Sequence, residues 1–375
     1  MAQPNNFGFG EDEAMLRDSA RRWFEDHYPP ERLHTLVAAD SDPHRANEAA
    51  WAREDWAAIA ELGWAAACVP EAAGGAGLSF VAALGLAEEA GRAGYPGPLE
   101  ATLAATAVLN ACGDAAGSAL GEIAAGRAYG VAVAGLEGIV DGSTDVAVQD
   151  GRLTGRAAWV QDARKVERFV VAARGDDGLG LYAVDAAADG VAVVPDAIVD
   201  LTRDQATLLF AGCDATELAA PGQGHAALET ALPALLALVA ADMVGAGEWL
   251  LQTTAEYART RQQFDRPLGF FQAIKHPLVN VMIAIDRARS LTWNAGCAVD
   301  HEPADALRFA RMAKSEASDM AGFAASRAVQ FHGGIGFTWE CYVHMFFKRQ
   351  LHSQVLLGDG RHQRAKLAEL LIDAA

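Results

Sequence analysis

Two stretches of this 375-residue chain carry residue types and spacings that could hold a ligand. The first is Arg261-x-x-Phe264-Asp265, followed by Pro267, Gly269 and Gln272, between two long apolar helical patterns. A guanidinium at a helix end presents a planar fork that can grip two phosphate oxygens at once. A Pro/Gly turn and an amide side chain next to it suit an anionic ligand. By spacing alone, the same Arg could simply end a surface helix. The second stretch is Gln330-Phe331-His332-Gly333-Gly334-Ile335-Gly336-Phe337, after a further helical pattern. Its glycines remove the side chains that would keep a ligand off the backbone. They could equally form a plain helix C-cap.

The elements that must position these residues fall into three blocks. Residues 1–127 read as helical, with amphipathic runs at 11–26, 48–62, 80–92 and 99–126 and a Pro/Gly-punctuated loop at 64–78. Residues 128–222 change period. A hairpin about Asp150-Gly151 and short β-rich runs at 168–173, 179–184, 191–194 and 207–210 predict a small antiparallel β-barrel or sandwich. Residues 223–375 return to helix, at 225–261, 271–298, 303–331, 339–355 and 362–374, as a four- to five-helix bundle. Pro303 fits a first-turn position and Gly333 a C-cap. The fold class is α+β with segregated layers.

Together the two stretches resemble the C-terminal signature of the acyl-CoA dehydrogenase family, R-x-x-F-G with a later Gln, then Q-x-x-G-G-x-G-[FY]. Pro70-Glu71-x-x-Gly74-Gly75-x-Gly77-Leu78 resembles the loop before a helix in that family's N-terminal domain. The resemblance implies the same three-domain fold and FAD as cofactor. It also implies an acyl-CoA substrate oxidised between Cα and Cβ, and electron-transfer flavoprotein as acceptor. It places Arg261, Phe264, Gln272, Gln330, Gly333 and Gly334 at a neighbouring subunit's FAD. Trp159 and Gln161 are placed against the isoalloxazine, in a Trp159-Val160-Gln161-Asp162 segment similar to the family's W-I-T-N strand.

The chain departs from the family where the catalytic base should be. That carboxylate must reach the α proton in a dry site. It follows the glycine cluster by some twenty residues or lies early in the helix before R-x-x-F. Counted without gaps, those positions are Leu357 and Leu235, and Leu cannot move a proton. Asp359 is the nearest acid after the cluster and the candidate replacement base. It sits in a Gly-Asp-Gly turn that needs no catalytic explanation. The family's middle-domain E-P-x-A-G-S-D loop is also missing. Residues 134–140 stand in its place.

The retained residues are those that serve a neighbour, and the lost ones serve the chain's own flavin. The chain is therefore similar to the FAD-completing subunit of two-gene complexes, in a dimer or tetramer with a base-bearing paralogue. A self-sufficient homo-oligomer using Asp359 or another, register-shifted acid, or a scaffold without chemistry, are the alternatives. A net charge of −19 argues against nucleic-acid or anionic-membrane partners, so an anionic ligand needs local basic residues. The five scattered cysteines, never in C-x-x-C, predict reduced thiols, a cytoplasmic setting and no metal site. No signal-peptide pattern opens the chain. The run 231–241 ends at Asp242 and reads as a buried helix. The Ala/Leu-rich wall it offers selects no particular acyl group.

Overall fold

The computed structural model describes residues 6–42 and 50–373. The first layer holds α1 (Glu11–His27), α2 (Pro30–Ala38), α3 (Arg53–Glu61), α4 (Phe80–Ala93), α5 (Leu99–Ala111) and α6 (Gly117–Ala124). Three details differ from the sequence reading. The expected helix 48–62 begins at Arg53, and its first residues lie outside the described ones. Nothing had been assigned to 30–38. Pro30 occupies the first turn of α2, where its missing N–H costs no bond. The single helix expected over 99–126 is divided, because Gly113 turns into the left-handed region at φ 68°.

The middle layer is one eight-stranded sheet. Its strands are β1 (Tyr129–Ala132), β2 (Asp145–Gln149), β3 (Arg152–Gln161), β4 (Arg168–Gly175), β5 (Gly178–Asp185), β6 (Val191–Pro195), β7 (Gln205–Asp214) and β8 (Thr216–Ala219). Their order is β6-β7-β3-β2-β4-β5-β8. Asp150 (φ 49°) and Gly151 (φ 73°) make the expected β2–β3 hairpin turn. The sheet is mixed rather than wholly antiparallel. β1 runs parallel to β4, from Tyr129 opposite Arg168 to Ala132 opposite Val171. The register of β3 on β7 shifts between Ala157 and Val160, a bulge that re-aims the residues within it.

The third layer is built on α7 (Gly224–Thr260), whose 37 residues make it the spine of the molecule. A tight two-stranded turn, β9 (Gln262–Gln263) and β10 (Arg266–Pro267), leads into α8 (Gln272–His301). Then follow α9 (Pro303–His332), α10 (Val343–Val355) and α11 (Gly360–Ala368), with a π-helical turn at Glu369–Asp373. α10 starts four residues later than expected, because the glycine cluster continues as a 3₁₀ turn at Gly333–Phe337. The helix expected over 362–374 starts at Gly360, and its last residue lies outside the described ones. α7 is long and apolar enough to cross a membrane, but 89% of its most apolar window is buried within the fold. It packs on α4 backbone to backbone. A Cβ on Gly245 would come within 1.8 Å of the Glu88 carbonyl oxygen, so this crossing requires glycine.

Candidate active site

A cavity of about 360 Å3 opens where the three layers meet. α5, the 131–138 segment, β3, β7, α7 and the end of α10 all contribute walls. Leu235 from α7 and Leu357 from the turn after α10 both line it. The structure thus brings the two expected base positions to one cavity, both as leucine.

Leu357 is held firmly. It adopts φ 57°, an uncommon conformation for a residue with a Cβ. Its carbonyl accepts from Gln363 Nε2 at 2.7 Å. The fully buried Lys314 ammonium donates to the carbonyls of Gln354 (2.9 Å) and Gly358 (3.0 Å) on either side of it. Asp359 lies on the same turn but points elsewhere. It is exposed, is absent from the cavity lining, and caps α11 by accepting from the His362 N–H at 2.8 Å. An N-cap carboxylate there contributes about 1 kcal/mol to the helix.

Trp159 sits inside the β3 bulge at φ 63° and is 45% exposed, so it is not a core residue. Its indole N–H donates to the Leu136 carbonyl at 2.7 Å, which fixes the ring at the cavity edge. A flat ring presented this way suits stacking against another flat ring. Gln161 faces the cavity too, but its amide is already engaged. Nε2 donates to Gln205 Oε1 (2.8 Å) and to the Trp159 carbonyl (3.1 Å). Its Oε1 is left to accept from His352 Nε2 at 3.0 Å.

Burial pushes His352 down to about 4, and burial also takes His344 down to about 4. Both are therefore neutral at pH 7. Each has a folded value below the ordinary 6.5, so the unfolded chain binds the proton first as pH falls. Their stability contribution is complete above pH 6.5 and is lost progressively between about pH 6.5 and 4. The ceiling is roughly 3 kcal/mol for each. Denaturant midpoints at pH 7.5, 5.5 and 4.5 should fall across this range, and His352→Gln should flatten the fall. An unchanged slope in that variant would remove His352 as a contributor.

The polar floor of the cavity was not legible as a site in the sequence. Glu100 Oε2 accepts from Arg203 Nη1 at 2.6 Å. Arg203 Nη2 donates to Asp242 Oδ2 (2.7 Å) and Ser353 Oγ (3.2 Å). Asp242 Oδ1 is gripped by Arg349 through Nε (3.0 Å) and Nη2 (2.5 Å). Burial opposes ionisation of Asp242, but Arg203 and Arg349 outweigh it and hold the carboxyl below its ordinary range. The Asp200-x-Thr202-Arg203-Asp204 run, a charge cluster among β-rich segments, was the only signal in the sequence.

Arg261, Phe264, Gln272, Gln330, Gly333 and Gly334 form a second group, all exposed and none lining the cavity. α7, α8 and α9 run up, down and up, so the end of α7, the start of α8 and the end of α9 share one end of the bundle. His332 stacks on Tyr257 with ring centroids 4.3 Å apart, tying the glycine cluster to the last turn of α7. At 1.5 Å per residue, Arg261 lies about 39 Å along the helix from Leu235, beyond the reach of any side chain. Phe264 is 87% exposed on the β9–β10 turn. A Cβ on Gly334 would meet nothing, and its φ is not in the left-handed region. Nothing in the packing of the described residues therefore requires glycine at 334.

Residues 10–119 match the acyl-CoA dehydrogenase N-terminal domain, and residues 222–372 match the acyl-CoA dehydrogenase C-terminal domain. The acyl-CoA dehydrogenase IpdE2 of Mycobacterium tuberculosis is 32% identical over 95% of this chain and 96% of its own. A variant of the Tcur3481-Tcur3483 steroid ACAD superposes with a TM-score of 0.85 at 29% identity, covering 98% of this chain and 99% of that one. The ChsE4-ChsE5 complex of M. tuberculosis gives 0.84 at 26% identity, over 97% and 98%.

Proposed function

The chain belongs to the acyl-CoA dehydrogenase family of FAD-dependent oxidoreductases, and on that premise we propose that it is the subunit that completes the FAD site of a base-bearing paralogue in a hetero-oligomer. One observation carries this reading. The positions from which a carboxylate would reach the substrate are Leu235 and Leu357, while the residues kept for a neighbour stand exposed outside that cavity, Arg261 about 39 Å along α7 from Leu235. FAD supplies the hydride acceptor of the family's reaction. This chain's residues hold and orient. Arg261 would bind the pyrophosphate oxygens of the partner's FAD, and Gln272, Gln330 and the Gly333-Gly334 backbone would lie along it. Phe264 would pack beside them and lose its exposure.

The substrate we assign is a steroid-derived acyl-CoA thioester, supported by the steroid ACAD among the similar structures. The setting is cytoplasmic, and electron-transfer flavoprotein re-oxidises the flavin. Co-expression with the paralogue should yield a stable mixed dimer or tetramer carrying about one FAD per pair of chains, since one interface of each kind is complete. Absorbance at the flavin band against protein mass measures this. A homo-oligomer holding one FAD per chain and dehydrogenating alone would overturn the reading.

A further inference from the structure

We propose that this chain's own cavity, though without a base, is a second and non-reacting ligand site, which takes a neutral apolar molecule bearing a hydroxyl group and anchors it at Glu100. The proposal rests on the absence of a base at positions 235 and 357 and goes beyond the completing role. The volume is the first reason. A space of about 360 Å3 falls within the range of small-molecule pockets and exceeds what packing faults leave. At about 30 Å3 per water-sized atom it holds on the order of a dozen non-hydrogen atoms.

The lining is the second reason. Ala101, Ala104, Val131, Leu235, Leu238 and Val239 make continuous apolar walls, which favour an apolar body over water. The polar groups are nearly all spent on one another. Both Nε2 hydrogens of Gln161 are taken by Gln205 and the Trp159 carbonyl, and its Oε1 already accepts from His352. The Nη groups of Arg203 are committed to Glu100, Asp242 and Ser353, and Asp162 is paired with Lys165 at 2.8 Å. Glu137 also has no hydrogen-bond partner among the described residues but is exposed to solvent, whereas Glu100 is largely covered. Only its Oε2 is engaged, and Oε1 has no hydrogen-bond partner among the described residues. An unengaged carboxylate oxygen beside an apolar cavity is an acceptor looking for a donor.

Charge decides which donor. The charged groups on the wall are Glu100, Glu137, Asp162 and Arg203, and His352 is neutral, so the wall is net negative. An anionic head group meets repulsion there, and the one unpaired N–H of Arg203, its Nε, is buried away from the cavity surface. A hydroxyl donates to Oε1 without carrying charge. Burial also raises the Glu100 carboxyl above its ordinary range, and a protonated form could still accept or donate to a hydroxyl.

The test is calorimetric titration of the purified hetero-oligomer with 1-octanol and with octanoate, alongside FAD content by absorbance. Octanol should bind at least tenfold more tightly than octanoate, the difference a hydrogen bond to a charged group makes. Glu100→Gln should bring the two closer together. Removing charge beside Arg203 could unfold the chain, so Ala104→Phe, which fills the cavity and spares the ion pairs, is the second variant. It should abolish octanol binding with FAD content unchanged. Octanoate binding as well as octanol, failure of either to bind, or octanol binding that survives Ala104→Phe would each overturn the proposal while leaving the completing role intact. Loss of FAD on Ala104→Phe would instead mark this cavity as the flavin's own and overturn both.

Discussion

Asp242→Ala should destabilise the chain by about 3–5 kcal/mol, the largest effect expected of a single substitution here. Asp242 is 1% exposed and receives Arg349, Arg203 and Ser353. Its removal strands two guanidinium groups. Arg349, 2% exposed, keeps only Thr202 Oγ1 (3.1 Å) and the Tyr95 carbonyl (3.4 Å). Arg203 keeps Glu100 and Ser353 Oγ but loses the Asp242 carboxylate. Breaking a buried pair costs far more than the pair adds, because a desolvated charge is left uncompensated. Asp242→Leu with Arg349→Met removes both charges of the tightest pair and should therefore cost less than Asp242→Ala alone. Guanidinium denaturation of the three proteins measures this. A single-variant loss under 1 kcal/mol would mean that water reaches these groups. The network joins α5, the loop after β6, α7 and α10, so the loss should also loosen the cavity.

Most of the outer layers were legible because their long elements obey local rules. α7, α8 and α9 carry long apolar periodicity, with Pro303 at a first turn and Gly333 at a C-cap. The β2–β3 hairpin announces itself through Asp150-Gly151. The parallel β1–β4 pairing could not be read, because it joins segments nearly forty residues apart with the whole β2–β3 hairpin between them. α2 was hidden by its own prolines. The site divides the same way. Arg261 and the glycine cluster are contiguous motifs, and the two leucines were found by counting from them. Glu100, Arg203 and His352 come from three different layers, and only the tertiary fold makes them neighbours. Asp359 shows the converse hazard. It is near the expected position in sequence, yet two left-handed residues, Leu357 and Gly358, turn the chain so that Asp359 caps a helix.

Arg261→Ala should weaken FAD binding by about ten- to hundredfold in the mixed oligomer, without unfolding either chain. The magnitude follows from a charge-assisted bidentate contact, on the order of 1.5–3 kcal/mol. Three features of the chain support it. Arg261 caps α7 from outside, in extended backbone, with its side chain exposed and no carboxylate paired to it among the described residues. Gly334, on a segment tied to the same end of the bundle, has open space where a Cβ would stand. Leu235 is about 39 Å away along α7, so Arg261 cannot serve a ligand in its own cavity. Arg261→Lys should recover part of the affinity, because a point charge attracts phosphate but cannot reproduce the fork. If Arg261 were merely a solvated helix end, either substitution would cost little. The melting temperature separates the two effects. Without FAD all three proteins should melt alike, whereas in limiting FAD the variants should melt lower, by the linkage between ligand binding and stability. Equal FAD content in the natural protein, Arg261→Ala and Arg261→Lys would take Arg261 out of the site and remove the main support for the completing role.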